Sequence, residues 1–362
     1  MKILKFILLV FLILMLTPEK FFYYEPFIIY KIDKNIDKCY RLNNWFKNFG
    51  RLKKLYYRNG NRIIFFNNNG EIISKLFINS KDIIEAGIGE RGLIIYRQNG
   101  ENIFYLDKTG KYLWELKTKS YPFMSLNENL ALMLTGENIS FTLINLLKGE
   151  MLTNFISAGA FITSFAISSF KNLVGIGDID GNVYLYNEKL NLVFSKNFNL
   201  PVVKKIAISP YGDYLAVLVG VPDETLYILN SKGKIIYSYK TEEDRRRPIE
   251  IMFSKDSKYL LEESEEGFRV YSVKKRKILF EKKVFEKSNR RKIIDMDISR
   301  DGGFIILSYK FLFDDIAVVE LYYRETMIYR LFFQNELPYV KFGIDNNIFL
   351  IETEQGIFVY GL

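Results

Sequence analysis

The chain offers few side chains for catalysis, because it contains no histidine and only one cysteine, Cys39. The absence of histidine excludes Ser–His and Cys–His catalysis, histidine-ligated zinc and pH sensing by imidazole. A single cysteine cannot close an internal disulfide, and it cannot build a cysteine-rich metal or iron–sulfur site. Carboxylates are therefore the main candidates for chemistry.

The acidic motifs favour turns over catalytic or metal-binding sites. Asp178, Asp180 and Gly181 begin like a calcium loop, but Lys189 stands at the twelfth position, where an EF-hand needs Glu. The pair Asp314–Asp315 and the acids within Glu262–Glu266 suggest glycosidase carboxylates, yet neighbouring acids at a strand end are typical of a solvated turn. We therefore expect no catalytic residue, no bound metal or cofactor, and no enzymatic activity.

Positive charge is concentrated in one stretch of the chain. The whole sequence has 51 Lys and Arg against 42 Asp and Glu, and residues 245–292 alone have 16 against 8. The excess lies in the clusters Arg245–Arg247, Lys274–Lys277 and Arg290–Lys292. Such clusters can bind an acidic protein segment or anionic lipid headgroups, and they are also common as ordinary solvated loops.

The elements that position these residues repeat about every forty residues. Segments such as Lys205–Val219 and Ile294–Ser308 each read as a short apolar strand, a turn of Ser, Asp, Asn or Gly, and a second strand. A second hairpin follows the early ones, as in Asn99–Thr118, so that each unit has four strands, named a to d. First strands recur near residues 82, 121, 161, 203, 248, 293 and 338, and no long helical period interrupts them.

Four short strands in each repeat predict an all-β fold, a β-propeller of four-stranded antiparallel blades. A single sheet of this kind cannot bury both its faces, whereas radial stacking covers them and leaves short edges. The last unit, Leu337–Leu362, has only three strands, and a strand near Phe27–Lys31 can supply the fourth. We expect eight blades over residues 44–362, with seven as the alternative, and residues 25–43 as a lead-in.

The N-terminus predicts a membrane anchor. Lys2 and Lys5 precede an unbroken apolar run from Phe6 to Leu16, which is the layout of a secretory signal. No small-residue cleavage site follows, and aromatic residues in Phe21–Tyr24 suit a membrane interface. We expect residues 1–24 to be an uncleaved anchor in the inner membrane, with the propeller on the extracytoplasmic side.

One repeat resembles a known propeller family. Gly100–Thr118 resembles the quinoprotein-type repeat, in which a Gly precedes strand c, a Thr-Gly turn follows, and a Trp docks against the neighbouring blade. Trp114 stands at the Trp position, after the Thr109–Gly110 turn. Asp178–Tyr186 looks like the start of the same repeat, with Phe194 in place of the Trp.

Two further turns, Ser209–Gly212 and Ser299–Gly302, are similar to those of WD-repeat-like bacterial propellers. Among exported propellers, the outer-membrane assembly lipoprotein is the nearest in type, but no lipobox cysteine follows the apolar run. Quinoprotein dehydrogenases, which this resemblance also implies, carry an adjacent cysteine pair that this chain lacks. The resemblance implies fold over residues 44–362 and does not carry function.

Strand order places two of the basic clusters on one face. The d–a links and b–c loops emerge at one end of a propeller, and the a–b and c–d turns emerge at the other. The clusters in d–a links should therefore meet the b–c loop at Lys310–Asp314. The predicted partner-binding residues are Arg245, Arg246, Arg247, Arg290, Arg291, Lys292, Phe311 and Phe313.

The sequence thus predicts a non-catalytic, membrane-anchored propeller that binds other envelope proteins as a scaffold. The alternative is a propeller enzyme or small-ligand sensor with its site at the central channel. A pI of about 9.1 allows nucleic-acid binding. Export would separate the protein from nucleic acid, so we expect no such partner.

Overall fold

The chain folds into strands, and every regular element among the described residues is a strand. In this computed structural model the described residues are 27–33, 56–59, 62–66, 72–77, 83–89, 92–97, 102–107, 109, 111–117, 123–126, 129–241, 243, 245, 249–284, 291–311, 316–342, 348–353 and 356–361. The predicted anchor, residues 1–24, lies outside them. Among the residues described, no helix is long and apolar enough to span a membrane.

The described strands form eight antiparallel sheets, numbered here as blades 1 to 8 in chain order. Blade 1 contains β2 (Tyr56–Asn59), β3 (Arg62–Phe66) and β4 (Ile72–Phe77). Blade 2 contains β5 (Ile83–Gly89), β6 (Gly92–Arg97), β7 (Asn102–Asp107) and β8 (Tyr112–Lys117). Blade 3 contains β9 (Phe123–Leu126), β10 (Leu130–Leu134), β11 (Ser140–Asn145), β12 (Glu150–Met151) and β13 (Ile156–Ser157). Blade 4 contains β14 (Ile162–Ile167), β15 (Val174–Asp178), β16 (Asn182–Tyr186) and β17 (Leu192–Asn197).

The second half of the chain repeats the same order. Blade 5 contains β18 (Val203–Ile208), β19 (Tyr214–Val219), β20 (Thr225–Asn230) and β21 (Ile235–Lys240). Blade 6 contains β22 (Ile251–Phe253), β23 (Tyr259–Glu263), β24 (Gly267–Ser272) and β25 (Lys277–Lys283). Blade 7 contains β26 (Arg291–Ile298), β27 (Phe304–Phe311), β28 (Ile316–Tyr323) and β29 (Thr326–Gln334). Blade 8 contains β30 (Tyr339–Phe342), β31 (Ile348–Thr353), β32 (Gly356–Gly361) and β1 (Phe27–Asp33).

Blade 8 joins the two ends of the chain. Strand β1 pairs with β32 in antiparallel register, with Lys31 opposite Phe358 and Asp33 opposite Gly356. The outermost strand of this blade therefore comes from the start of the propeller, and the other three come from its end. On the other side, β32 contacts β2 of blade 1. These sheets confirm the predicted β-propeller.

Burial follows strand position within each blade. Middle strands such as β10 and β24 are buried along their whole length, because neighbouring sheets cover both faces. Outer strands such as β8 and β17 alternate between exposed and half-buried positions. Separate apolar clusters lie between successive blades from blade 2 to blade 8, so that each interface has its own core.

Outer strands dock on turns of the next blade, as the repeat resemblance implied. Trp114 of β8 packs over Gly149 in the turn after β11, and its Nε1 atom donates a hydrogen bond to the carbonyl oxygen of Leu146 at 2.8 Å. Gly149 has a φ of 69°, and a Cβ atom there would lie 2.6 Å from Cδ2 of the Trp114 ring. Phe194 of β17 packs in the same way over Gly233 of blade 5.

Side chains also connect the inner strands of neighbouring blades. Ser164 Oγ of β14 accepts a hydrogen bond from the backbone nitrogen of Ile206 in β18, at 2.9 Å. Asp295 and Asp297 of β26 accept hydrogen bonds from the backbone nitrogens of Val340 and Phe342 in β30, at 3.0 and 2.8 Å. Backbone groups at the free edge of an inner strand are thereby paired, which stabilises each junction.

Candidate functional site

The predicted basic residues lie at one end of the ring, but the described members do not all point to solvent. Arg245 lies in the link between β21 and β22, as expected, yet only 4% of it is exposed. At backbone level Arg291 is the register partner of Phe311, and Lys292 of Lys310, so the link and loop of blade 7 meet as predicted. The side chains of Arg291, Lys292 and Phe311, and the whole of Arg246, Arg247, Arg290 and Phe313, lie outside the described part of the structure.

Arg245 is buried because carboxylates of two blades neutralise it. Its Nε atom donates to Glu224 Oε2 at 2.6 Å, and its Nη2 atom lies 2.7 Å from Glu262 Oε1. Glu224 also accepts a hydrogen bond from Lys204 Nζ at 2.6 Å. Burial alone lowers the pKa of Arg245, but the combined attraction of Glu262, Glu243 and Glu224 outweighs it and raises that pKa.

This ion-pair network continues into blade 6 through Arg269. Arg269 hydrogen-bonds to Glu243, and its Nε atom lies 3.0 Å from Glu281 Oε1. The hydroxyl of Tyr271 donates to Glu262, and burial and that carboxylate together raise the pKa of Tyr271. Since these described groups bond to one another across a blade junction, the network's chemistry is structural cross-linking.

A second buried carboxylate, Glu320, binds three donors within blade 7. It accepts hydrogen bonds from Tyr309 at 3.0 Å, from Arg330 Nε at 2.7 Å, and from the hydroxyl of Tyr322. Burial, together with the charge of Glu320, raises the pKa of Tyr322. The carboxylate is thus fully occupied in binding neighbouring side chains.

The calcium-like motif forms a hydrogen-bonded turn. Asp178 is buried, and its Oδ1 atom accepts hydrogen bonds from the backbone nitrogens of Asp180 and Asn182, at 3.0 and 2.8 Å. Its Oδ2 atom accepts a hydrogen bond from Asn182 Nδ2 at 2.9 Å. Within the described ranges, no group of three His, Cys, Asp or Glu side chains is arranged to hold a metal ion. That the protein works without a metal or cofactor stays a prediction.

A different surface on the same end of the ring has the character of a binding site. Four large apolar side chains there, one in each of four successive connections of blades 3 to 5, are largely exposed. Their exposed fractions are 40% for Ile139, 47% for Phe161, 45% for Ile179 and 43% for Val221. We call these four residues the apolar arc. Ile139, Ile179 and Val221 lie in b–c loops, and Phe161 lies in a d–a link.

Backbone hydrogen bonds hold the arc together across blades. The carbonyl oxygen of Ile139 accepts from the nitrogen of Ala158 at 2.8 Å, just before Phe161. The nitrogen of Ile179 donates to the carbonyl oxygen of Phe161 at 2.9 Å, and Val202 donates to that of Ile179 at 2.8 Å. Gly220, next to Val221, donates in turn to the carbonyl oxygen of Val202 at 3.1 Å. The arc is therefore one continuous, fixed surface.

Sequence reasoning missed the arc because its members are far apart in the chain and each stands alone in a loop. A usable signal was nevertheless present. Once strands are lettered a to d, large apolar residues recur in consecutive connections that emerge at the same end. Single exposed apolar residues are common on protein surfaces, whereas a contiguous set marks an interaction surface.

Eight stacked sheets and their closure by β1 define a β-propeller. The sequence matches the family described as beta-propeller protein over residues 1–311. The chain belongs to this family. No curated relative matches it in sequence.

Solved structures resemble the fold at low identity. The C-terminal WD40 domain of Sif2 has a TM-score of 0.64 at 14% identity, over 93% of this chain and 98% of that one. BamB from Moraxella catarrhalis has a TM-score of 0.61 at 12% identity, also over 93% and 98%. KlHsv2 with loop 6CD replaced by a Gly-Ser linker has a TM-score of 0.56 at 14% identity, over 75% and 92%. At such identities these likenesses show the fold alone.

Proposed function

We propose that the protein is a membrane-anchored, extracytoplasmic propeller that acts as a non-catalytic, protein-binding scaffold in a cell-envelope complex. The apolar arc is the observation that carries the protein-binding role. Burying exposed apolar side chains against a partner releases water and is the main favourable contribution to most protein association. The arc supplies four such side chains on one face of a closed ring.

The rigidity of the ring supports a scaffold. The loops that carry the arc are fixed by backbone hydrogen bonds from Ile139 to Gly220, so that little conformational entropy is lost when a partner docks. The ion-pair network around Arg245 fixes the adjacent blade junction. Such a surface suits recognition more than a reaction.

Envelope location is proposed from the N-terminal sequence. Lys2 and Lys5 followed by the run Phe6–Leu16 favour an anchor with the propeller outside the inner membrane. An alkaline-phosphatase fusion after residue 40 should be active, and the same fusion without residues 1–24 should be inactive. An inactive full-length fusion would return the propeller to the cytoplasm and overturn the proposed location.

Site-specific photo-crosslinking tests the binding role. A photoreactive amino acid placed at Phe161 or Ile179 in intact cells should give discrete adducts with another protein. Phe170 and Tyr211, at 48% and 46% exposure in a–b turns at the opposite end of the ring, are matched controls and should give none. Equal labelling from both ends, or no adducts from the arc, would contradict the proposal.

A further inference from the structure

The segments that carry the apolar arc have an unusual charge composition. They are the five connections at residues 135–139, 158–161, 179–181, 198–202 and 220–224. Together they contain four acidic residues and no lysine or arginine, although the whole chain has 51 Lys and Arg in 362 residues. The surface around the arc therefore has the opposite charge sign from the protein as a whole.

Three of the four acids are exposed beside arc residues, in a repeating arrangement. Glu137 precedes Ile139 by two residues, and Asp180 directly follows Ile179. Asp223 follows Val221 by two residues and pairs with Lys240 at 2.9 Å on the outer strand. Each b–c loop of blades 3, 4 and 5 thus presents one apolar and one acidic side chain to solvent.

The fourth acid has a different role. Glu224 is fully buried and neutralised by Lys204 and Arg245, so it adds no charge to the surface. The exposed carboxylates that face an arriving partner are those of Glu137, Asp180 and Asp223.

From this pattern we infer that the arc binds an extended segment of a partner protein that combines apolar side chains with lysine or arginine. The inference rests on the proposed protein-binding function and adds the chemistry of the partner. Apolar side chains of the segment would be buried on the arc, while its cations would lie near the three carboxylates. Anionic lipid headgroups and nucleic acid would be repelled by the same carboxylates.

Synthetic peptides can test this chemistry directly. We would measure, by fluorescence anisotropy, the binding of fluorescent peptides of about 12 residues, which span roughly 40 Å when extended. The three sequences alternate Leu with Lys, Leu with Glu, and Ser with Lys. The full-length protein is held in zwitterionic nanodiscs, and the signal of empty nanodiscs is subtracted. The Leu–Lys peptide should bind about tenfold more tightly than either of the others.

Salt provides a second reading of the same complex. Because the cations and carboxylates lie at a solvent-exposed rim, raising the salt concentration from about 50 to about 300 mM should weaken binding of the Leu–Lys peptide. The weak binding of the Leu–Glu peptide should not decrease. Equal salt dependence of the two peptides would overturn the assignment of charge.

Charge reversal at two acids should switch the preference. The double variant Glu137→Lys/Asp180→Lys should bind the Leu–Glu peptide about tenfold more tightly than the Leu–Lys peptide. Its thermal unfolding should match that of the wild type, since both side chains are exposed. The control Glu188→Lys/Asp213→Lys reverses two exposed acids at the opposite end of the ring and should keep the original preference.

The outcomes separate this inference from the proposed function. Adducts at Phe161 together with an unchanged peptide preference in Glu137→Lys/Asp180→Lys would overturn the basic partner and leave the scaffold intact. No adducts and no peptide binding would overturn both. An adduct formed with a second copy of this chain would overturn a separate partner protein.

Discussion

The carboxylate of Glu224 accepts hydrogen bonds from both the backbone nitrogen and the Nε atom of Arg245, at 2.7 and 2.6 Å. Glu224 ends the b–c loop of blade 5, and Arg245 lies in the link to blade 6. Because Arg245 also binds Glu262 of blade 6, the pair connects two blades next to the apolar arc. A cation from a basic run of the sequence is here a structural link.

Removing the charge of Glu224 should destabilise the fold. The variant Glu224→Gln leaves Lys204 and Arg245 buried with one fewer carboxylate, and we expect the free energy of unfolding to fall by about 3–5 kcal/mol. Chemical denaturation of the full-length protein in detergent measures this change. Asp223→Asn, which breaks the neighbouring exposed pair with Lys240, should change stability by less than about 1 kcal/mol. Similar effects of the two variants would contradict a buried structural role.

Alanine at Gly149 should be worse than alanine at Gly159. Both glycines have positive φ, at 69° and 82°, but only at Gly149 would a Cβ atom meet a ring, that of Trp114. We expect Gly149→Ala to lose about 1–3 kcal/mol more than Gly159→Ala, through overpacking. In a Trp114→Ala background this difference should disappear, as a double-mutant cycle by denaturation would show. A difference that persists would mean that the ring is not its cause.

The buried carboxyl of Asp295 should make stability depend on pH. Burial raises its pKa above the ordinary value of 3.8, against the opposing effects of Lys341 and the backbone nitrogen of Val340. The folded state then holds the proton more strongly than the unfolded state, so this contribution to stability is complete below 3.8 and is lost as the pH rises through the raised value.

The variant Asp295→Asn has no such carboxyl. Its free energy of unfolding, measured by denaturation across this pH range, should therefore improve relative to the wild type as the pH rises. A constant difference, or a trend of the opposite sign, would show that the pKa of Asp295 is not raised in the folded protein.

Closure of the ring by β1 can be tested with introduced cysteines. Lys31 lies opposite Phe358, and Phe358 in turn lies opposite Ile351 on the next strand. In a Cys39→Ser background, Lys31→Cys/Phe358→Cys should form a disulfide, because Cβ atoms of opposed residues are about 4.5–5.5 Å apart. Lys31→Cys/Ile351→Cys should not, since two strand spacings are roughly 9–10 Å. Non-reducing electrophoresis and mass spectrometry distinguish the products, and the reverse result would exclude this register.

Much of the fold could be predicted because each blade writes its own pattern. The first strands expected near residues 161, 203 and 293 begin at Ile162, Val203 and Arg291. Alternating apolar residues and turn residues act locally, within one hairpin. The docking of Trp114 on the next blade was also predictable, because it recurs within a repeat of known type.

The candidate site was less predictable. A count of charges indicated the loop end of the ring, yet it could not show that Arg245 is buried between Glu224 and Glu262. Those three residues belong to different connections of two blades. Their pairing depends on how the sheets stack, and no local pattern in the sequence records it.

The sequence by itself determined the strands, their order and the loop end on which each connection emerges, because these follow from local hydrophobic period and turn chemistry. Tertiary structure alone decided which loop residues are exposed. Ile139, Phe161, Ile179 and Val221 remain at the surface while Arg245 does not, because stacking covers some loop positions and opens others. Burial is a property of neighbouring blades, and those neighbours are supplied only when the ring has closed.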